Sequence, residues 1–190
     1  PAYGSNLYGV ADHIKIHARC ACGVSPQKGE EENLRKRHQN LGCHVGRRSQ
    51  PGKKRNVGKQ RAEGYVRAME ASGLTPVLLE STDKLAGSVM ADYLKSNPVD
   101  AIMALDTDAS LAALKAVKLS GKKIPQDIAV IGYVSERMAH NLTPELTTIN
   151  QHSYTIGNSA ATMMVESLRT KSSEVKQVVI SSTLSVRDSS

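Results

Sequence analysis

Residues 98–133 have the pattern of one β-α-β unit and read PVDAIMALDTDASLAALKAVKLSGKKIPQDIAVIGY. Two short apolar runs flank an amphipathic stretch and a loop that contains glycine and proline. A continuous apolar run such as Ile128–Tyr133 is typical of a parallel strand that is covered on both faces. Because ligands of such units bind beyond the carboxyl ends of the strands, the pattern predicts a binding site near Asp106 and Glu136.

The alternation of helix and strand patterns continues on both sides of this unit. Towards the N-terminus, the sequence predicts a helix over 57–72, a strand over 77–80 and a second helix over 83–96. Towards the C-terminus, it predicts a strand over 147–150 and a helix over 154–168. Two terminal strands are predicted over 175–180 and 183–186. Strands that alternate with helices predict an α/β fold, a doubly wound and mostly parallel sheet with helices on both faces.

The first part of the chain has a different composition and lacks this pattern. Residues 1–60 hold 12 Lys and Arg against 4 Asp and Glu, whereas residues 61–190 hold 13 against 14. We find no buried-strand pattern between Leu41 and Asn56. We therefore divide the chain into an atypical, irregular basic segment, residues 1–55, and an α/β domain, residues 56–190. The abundance of Arg, Gly, Cys and His suggests that the basic segment is a poorly ordered remnant or comes from a shifted reading frame.

Several function classes are disfavoured by what the sequence lacks. Cys20, Cys22, Cys43 and His44 are spaced too tightly for the common structural zinc sites, so we predict no metal and no cofactor. No nucleophile–base pair is visible, which argues against an enzyme. The N-terminus lacks the basic and apolar regions of a secretory signal, and no run approaches the roughly 20 apolar residues that span a bilayer. These features predict a cytoplasmic protein that does not contact a membrane.

Five ordered segments after Asn56 carry a resemblance to a known family. They are RAEGYVRAM (61–69), DAIMALDTDASLAALKA (100–116), IPQDIAVIGY (124–133), TPELTTINQ (143–151) and TLSVRDSS (183–190). Together they resemble the effector-binding domain of the LacI/GalR family of bacterial transcription regulators. Most of the resemblance falls on the C-terminal subdomain of that domain.

The resemblance implies a non-enzymatic regulatory protein with a periplasmic-binding-protein-like fold. In this family a sugar or another small metabolite binds in the cleft between two subdomains of a homodimeric repressor. A helix-turn-helix headpiece, which this chain does not contain, binds operator DNA. The resemblance identifies neither the effector nor the operator, and it does not distinguish an activator from a repressor.

The resemblance also implies roles for individual residues. The expected effector ligands are Arg61, Asp106, Thr107, Ser135, Glu136 and Gln151, and the expected dimer-interface residues are Leu111, Lys115, Met138 and Leu142. Four of them have an explicit alternative: Arg61 as an exposed helix residue, Asp106 as a helix cap, Glu136 as a solvated loop residue, and Leu111 as a core residue. Asp108 suits the capping position better than Asp106 does.

Two departures from the family pattern reduce the expected affinity. Asp106 and Thr107 replace the usual Asn-Asp pair, and Val134 and Ser135 stand where the family has Asp or Asn. Both changes remove polar ligand contacts, so we predict weak effector binding or none.

Two other functions stay open. The first is a periplasmic-type sugar-binding protein of a transport system, which has the same fold. The second is a nucleic-acid-binding module formed by basic residues 1–60, since clustered Lys and Arg attract phosphates. A glycosidase that uses Asp106 and Asp108 is a distant alternative, because no second feature supports it.

Overall fold

The computed structural model describes residues 40–45, 57–81 and 86–190, and all statements below refer to them. The strands are β1 (Asn40–Val45), β2 (Val77–Ser81), β3 (Ala101–Ala104), β4 (Ala129–Gly132), β5 (Thr147–Asn150) and β6 (Thr183–Ser185). The helices are α1 (Val57–Ala71), α2 (Ala86–Ser96), α3 (Thr107–Leu119), α4 (Glu136–His140) and α5 (Ser153–Thr170).

The described strands form one sheet in the order β2-β1-β3-β4-β5-β6. All neighbouring pairs from β2 to β5 are parallel, and β6 is antiparallel to β5. The predicted fold class, a mostly parallel sheet with helices on both faces, is confirmed. Since the carboxyl ends of parallel strands point the same way, the loops after β3, β4 and β5 meet at one edge of the sheet.

Strand β1 corrects one prediction from the sequence. Its Leu41 pairs with Val77 of β2 on one side and with Ile102 of β3 on the other, so β1 lies inside the sheet. The expectation that no strand lies between Leu41 and Asn56 is therefore wrong, and a division at residue 55 separates β1 from its own sheet. The sequence NLGCHV has no run of β-branched or aliphatic residues, and hydrogen bonding to two neighbours overrides that weak local preference. The rest of the basic segment lies outside the described residues.

Two apolar clusters cover the two faces of the sheet. Alternate residues of a strand point to opposite faces, and in β3 all four side chains are buried. Ile102 packs with Met90 and Leu94 of α2 and with Val117 of α3 in the first cluster. Burying a side chain of this size contributes roughly 1.5–3 kcal/mol. Members of the second cluster include Tyr65 and Met69 of α1, Met103, Ile131 and Ile149.

Some predicted core and strand positions are exposed instead. Val89, an apolar residue of α2, is 41% exposed, because it lies about 100° around the helix from the fully buried Met90. Residues 175–180 were predicted to form a strand, but they have no strand assignment and Val175 is 94% exposed. Helix α5 has no buried residue, and its Leu168 is 69% exposed. Among the described residues, no strand pairs with 175–180, so their apolar pattern has no partner.

Candidate functional site

The carboxyl edge of the sheet brings together groups from three strands and one helix. Leu105 follows β3, Tyr133 follows β4, and Gln151 follows β5. Helix α1 covers the second apolar cluster and carries Arg61 to the same edge. The chain positions of these four residues span 90 residues, but the parallel order of the strands places their side chains or carbonyl groups beside one another.

Arg61 is the centre of this arrangement. Its Nη1 donates to the carbonyl oxygen of Leu105 at 2.7 Å, and its Nη2 donates to Oε1 of Gln151 at 2.8 Å. Its guanidinium carbon lies 4.1 Å from the ring centroid of Tyr133, a distance typical of a cation–π contact. Three contacts from three different strand ends hold the guanidinium in one orientation.

Tyr133 is almost completely buried under this guanidinium. Burial raises the pKa of the Tyr133 hydroxyl above its usual value, and the positive charge of Arg61 opposes that shift. Its ring is therefore neutral at physiological pH and serves as a flat support for Arg61. Tyr133 is not among the site residues predicted from the sequence. The signal that could have found it is its position directly after a buried strand of a β-α-β unit.

A cavity of about 730 Å³ opens beside Arg61. Arg61, Tyr133 and Gln151 line it, and Ile149 of β5 and Met163 of α5 contribute apolar residues. Residues 176–184 also belong to the lining. This volume lies within the range of small-molecule sites, and its mixture of apolar walls and a few polar groups is also typical of them.

Asp106 and Thr107 lie at the same edge but stabilise the protein itself. The Asp106 carboxylate accepts a hydrogen bond from the backbone N–H of Ala109 at 2.7 Å, and Asp106 is the N-cap of α3. The preference for Asp108 as the cap is wrong, because α3 begins at Thr107 and Asp108 lies in its first turn. The Thr107 hydroxyl donates to the carbonyl oxygen of Tyr133 at 2.9 Å. Neither residue is among those that line the cavity.

Ser135 and Glu136 are also engaged in contacts within the protein. The Ser135 hydroxyl caps α4 through the N–H of Met138 at 3.3 Å. Glu136 Oε1 accepts hydrogen bonds from Asn150 Nδ2 and Ser185 Oγ at 2.9 and 2.7 Å. Its Oε2 is paired with Nη2 of Arg187. Of the six predicted ligand residues, Arg61 and Gln151 thus line the cavity, and the other four are not among its lining residues.

The Arg187–Glu136 pair was not predicted, although Arg187 belongs to one of the family-like segments. The Arg187 side chain is only 8% exposed and also donates to the carbonyl oxygen of Leu146 at 3.0 Å. No local sequence signal connects two residues that are 51 positions apart. The pair ties the start of α4 to the strands that lead to and from α5.

The four predicted interface residues do not form a single class. Leu111 and Met138 are each 38% exposed, and Lys115 is exposed as well. The alternative for Leu111, a buried core position, is therefore not what the structure has. Leu142 is half-buried and packs against the first apolar cluster. A role in a dimer stays a prediction for all four residues.

The capping geometry leads to a prediction about Asp106. Because its carboxylate satisfies a helix N-terminus, we expect Asp106→Ala to lower the free energy of unfolding by about 1 kcal/mol. The matched variant Asp108→Ala should change it by less than about 0.5 kcal/mol, since surface substitutions have small effects. Urea unfolding followed by far-UV circular dichroism measures both, and equal effects of the two variants would contradict this assignment of the cap.

Neither a candidate metal site nor a candidate membrane span is present among the described residues. Within residues 40–45, 57–81 and 86–190, no group of three or more His, Cys, Asp or Glu side chains is arranged to hold a metal ion. The same part of the chain has no helix with the length and apolarity needed to cross a membrane. Cys20 and Cys22, the tightest pair of potential zinc ligands, lie outside the described residues.

The strand order and the polar carboxyl edge define a lobe of the periplasmic-binding-protein type. The sequence profile of the periplasmic binding protein-like domain matches residues 31–190. The chain therefore belongs to this domain family, and the predicted resemblance to LacI/GalR regulators is confirmed by its relatives. The matched range begins inside the segment 1–55.

The curated relatives are transcription regulators. The chain is 31% identical over 139 residues to the HTH-type transcriptional regulator CelR of Thermobifida fusca. The aligned region covers 70% of this chain and 41% of that protein. It is 29% identical over 150 residues to the transcriptional repressor PurR of Edwardsiella ictaluri, with coverages of 75% and 42%. The chain thus spans less than half the length of these relatives.

Two solved structures illustrate the likeness in fold. A CelR–cellobiose complex shares 25% identity with a TM-score of 0.66, over 84% of this chain and 49% of that one. A LacI-family regulator from Arthrobacter sp. FB24 in complex with lactose shares 20% identity with a TM-score of 0.67, over 93% and 62%. At 20% identity, the second likeness shows the fold alone.

Proposed function

We propose that this chain is the effector-binding part of a LacI/GalR-type transcription regulator and binds a small metabolite at the carboxyl edge of its sheet. The observation that carries the proposal is Arg61, whose guanidinium is fixed by Leu105, Gln151 and Tyr133 at one end of a cavity. A guanidinium held in this way presents a rigid fork of N–H donors to a ligand, with little further loss of side-chain freedom on binding.

The proposed mechanism is a shift between two conformations. A ligand changes such an equilibrium only by its different affinity for the two states. Gln151 contacts Arg61 directly and precedes α5, so a ligand at Arg61 acts on a segment that leaves the sheet. The conformation of the dimer would then determine how the DNA-binding headpieces of such a regulator contact operator DNA in the cytoplasm.

We propose that this lobe is not an enzyme. Its relatives are regulators, and the two carboxylates predicted nearest the site are occupied in capping α3 and in binding Arg187. We also propose that the effector-binding domain includes β1 and therefore starts at or before residue 40. Limited proteolysis with mass spectrometry tests that boundary, since cleavage within β1 without loss of the folded core would exclude it.

Binding at Arg61 is tested by titrating the 190-residue chain with neutral sugars, including cellobiose and lactose, and with their acidic derivatives. We expect weak, saturable binding by at least one compound in ligand-observed NMR. Arg61→Gln should weaken it by about 10- to 100-fold, because a hydrogen bond from a charged group contributes roughly 1.5–3 kcal/mol.

The control for this titration is Arg67→Gln. Arg67 is an exposed arginine on the same helix α1, and it does not line the cavity. This variant should bind like the unmodified chain. Circular dichroism verifies that Arg61→Gln is folded. Failure of every compound to bind, or binding that is unchanged in the folded Arg61→Gln variant, would refute the proposed function.

A further inference from the structure

Beyond the existence of an effector site, we infer that the effector carries an anionic group, a carboxylate or a phosphate, and that this group pairs with Arg61. The inference rests on the proposed function and deepens it by naming a class of ligand. It follows from the charge balance of the cavity and from the way in which the nearby carboxylates are used.

The charge of Arg61 meets only neutral partners among the described residues. Its two hydrogen bonds go to a backbone carbonyl and a side-chain amide, and its ring contact is with a neutral tyrosine. A guanidinium has five N–H donors, and these two bonds use only part of them. Half-buried beside an apolar wall, the charge is less screened than it would be in water, which strengthens its attraction for an anion.

The described lining of the whole cavity also carries more positive than negative charge. Its described lining includes two cations, Arg61 and Lys176, and neither Asp nor Glu. Lys176 lies on the surface and is paired with Glu166 at 3.0 Å, with both side chains well exposed. Arg61 is therefore the cation whose charge the described lining leaves without an acidic partner.

The nearby carboxylates that could accept hydrogen bonds from sugar hydroxyls bind groups of the protein itself, and they do not line the cavity. Asp106 caps α3, and Glu136 is bound by Asn150, Ser185 and Arg187. A neutral sugar needs both donors and acceptors, because each hydroxyl can donate and accept. Carboxylates and phosphates only accept, and they match the paired N–H groups of a guanidinium in geometry. The charged end of this site therefore suits an acceptor-only group.

The rest of the ligand is constrained by neutral groups. The polar residues Gln60, Ser159 and Thr183 line the cavity together with Ile149 and Met163. Such walls can bind a polyhydroxylated body that has one apolar face. A sugar acid and a sugar phosphate are the two sources of the required anion.

The test compares neutral and acidic forms of one sugar on the 190-residue chain. Glucose, glucuronate and glucose 6-phosphate are titrated in low-salt and high-salt buffer. We expect at least one acidic form to bind at least 10-fold more tightly than glucose, with the preference reduced at high salt, where charge pairs are screened. The better of the two acidic forms distinguishes a carboxylate from a phosphate.

Variants then locate the cation. Arg61→Gln should abolish the preference for the acidic form, while Arg61→Lys should retain part of it because it keeps the charge without the fork. Arg67→Gln should leave the preference unchanged, as the exposed control on the same helix. Loss of the preference in Lys176→Gln but not in Arg61→Gln would overturn the assignment to Arg61.

The outcomes separate this inference from the proposed function. Binding of glucose that equals or exceeds binding of both acidic forms, and that depends on Arg61, overturns the anionic class but leaves an effector site. Failure of the acidic forms, together with failure of every sugar in the wider titration, overturns both. An acidic preference that is lost only in Arg61→Gln supports both.

Discussion

Replacing Gly132 with alanine is expected to lower the free energy of unfolding by about 3 kcal/mol, because overpacking a rigid core is costly. A Cβ at Gly132 would lie 2.5 Å from the hydroxyl oxygen of Ser110 and 2.9 Å from its Cβ. It would also lie 2.9 Å from Cδ2 of Leu146. Both neighbours are fully buried, so neither can move away without displacing others.

The cost includes hydrogen bonds that hold the site. The Ser110 hydroxyl accepts from the N–H of Tyr133 at 3.0 Å and donates to the carbonyl oxygen of Asp106 at 2.6 Å. Moving this hydroxyl strains both bonds, one of which joins α3 to the end of β4 while the other lies within the first turn of α3. A buried donor left without a partner costs about 1–3 kcal/mol. Since Tyr133 supports Arg61, Gly132→Ala should also weaken effector binding.

Urea unfolding followed by circular dichroism measures the effect, and Gly157→Ala is the matched control. Gly157 lies in α5, and a Cβ there would meet nothing within 4 Å. Alanine is a better helix former than glycine, so this control should be neutral or stabilise by up to about 1 kcal/mol. An unfolding midpoint for Gly132→Ala equal to that of the unmodified chain would show that the contact between β4 and α3 is looser than described.

Elements with a clear local pattern could be predicted from the sequence, whereas elements that depend on contacts between distant segments could not. The β-α-β unit over 98–133 was predictable, because its strands are apolar throughout and its helix has a local apolar face. Strand β1 was not, because its place in the sheet depends on hydrogen bonds to β2 and β3. The strand predicted over 175–180 failed for the converse reason, since its apolar residues have no neighbouring strand among the described residues.

The candidate site shows the same division. Arg61 and Gln151 were predicted from the family-like segments, and they do lie together on the cavity. Asp106 was expected to bind ligand rather than cap, because capping depends on α3 beginning at Thr107, and helix boundaries are uncertain by one or two residues. The contacts of Glu136 depend on Arg187 and Asn150, which are distant in sequence, and only the folded structure shows them.

Replacing Arg187 with methionine is expected to lower the free energy of unfolding by about 3 kcal/mol, because removing the buried partner of a partly buried ion pair leaves the other charge uncompensated. Glu136 is 37% exposed and keeps its bonds to Asn150 and Ser185, which limits the loss. The carbonyl oxygen of Leu146 would lose its Arg187 donor. Lys95→Met, which breaks the exposed Lys95–Asp92 pair at 3.0 Å, is the control and should cost less than about 1 kcal/mol.

A double-mutant cycle with Glu136→Gln distinguishes the ion pair from simple packing by Arg187. If the two charges act together, the double variant should be more stable than the sum of the single effects predicts, by about 1–3 kcal/mol. Strict additivity would mean that the long side chain of Arg187 contributes through packing alone. Because Glu136 contacts Asn150 at the end of β5 and Ser185 in β6, loss of coupling should also loosen the two connections to α5. Hydrogen exchange under native conditions measures this loosening. Faster amide exchange in the two connections to α5 would support it, and unchanged exchange in these connections would confine the role of the pair to α4.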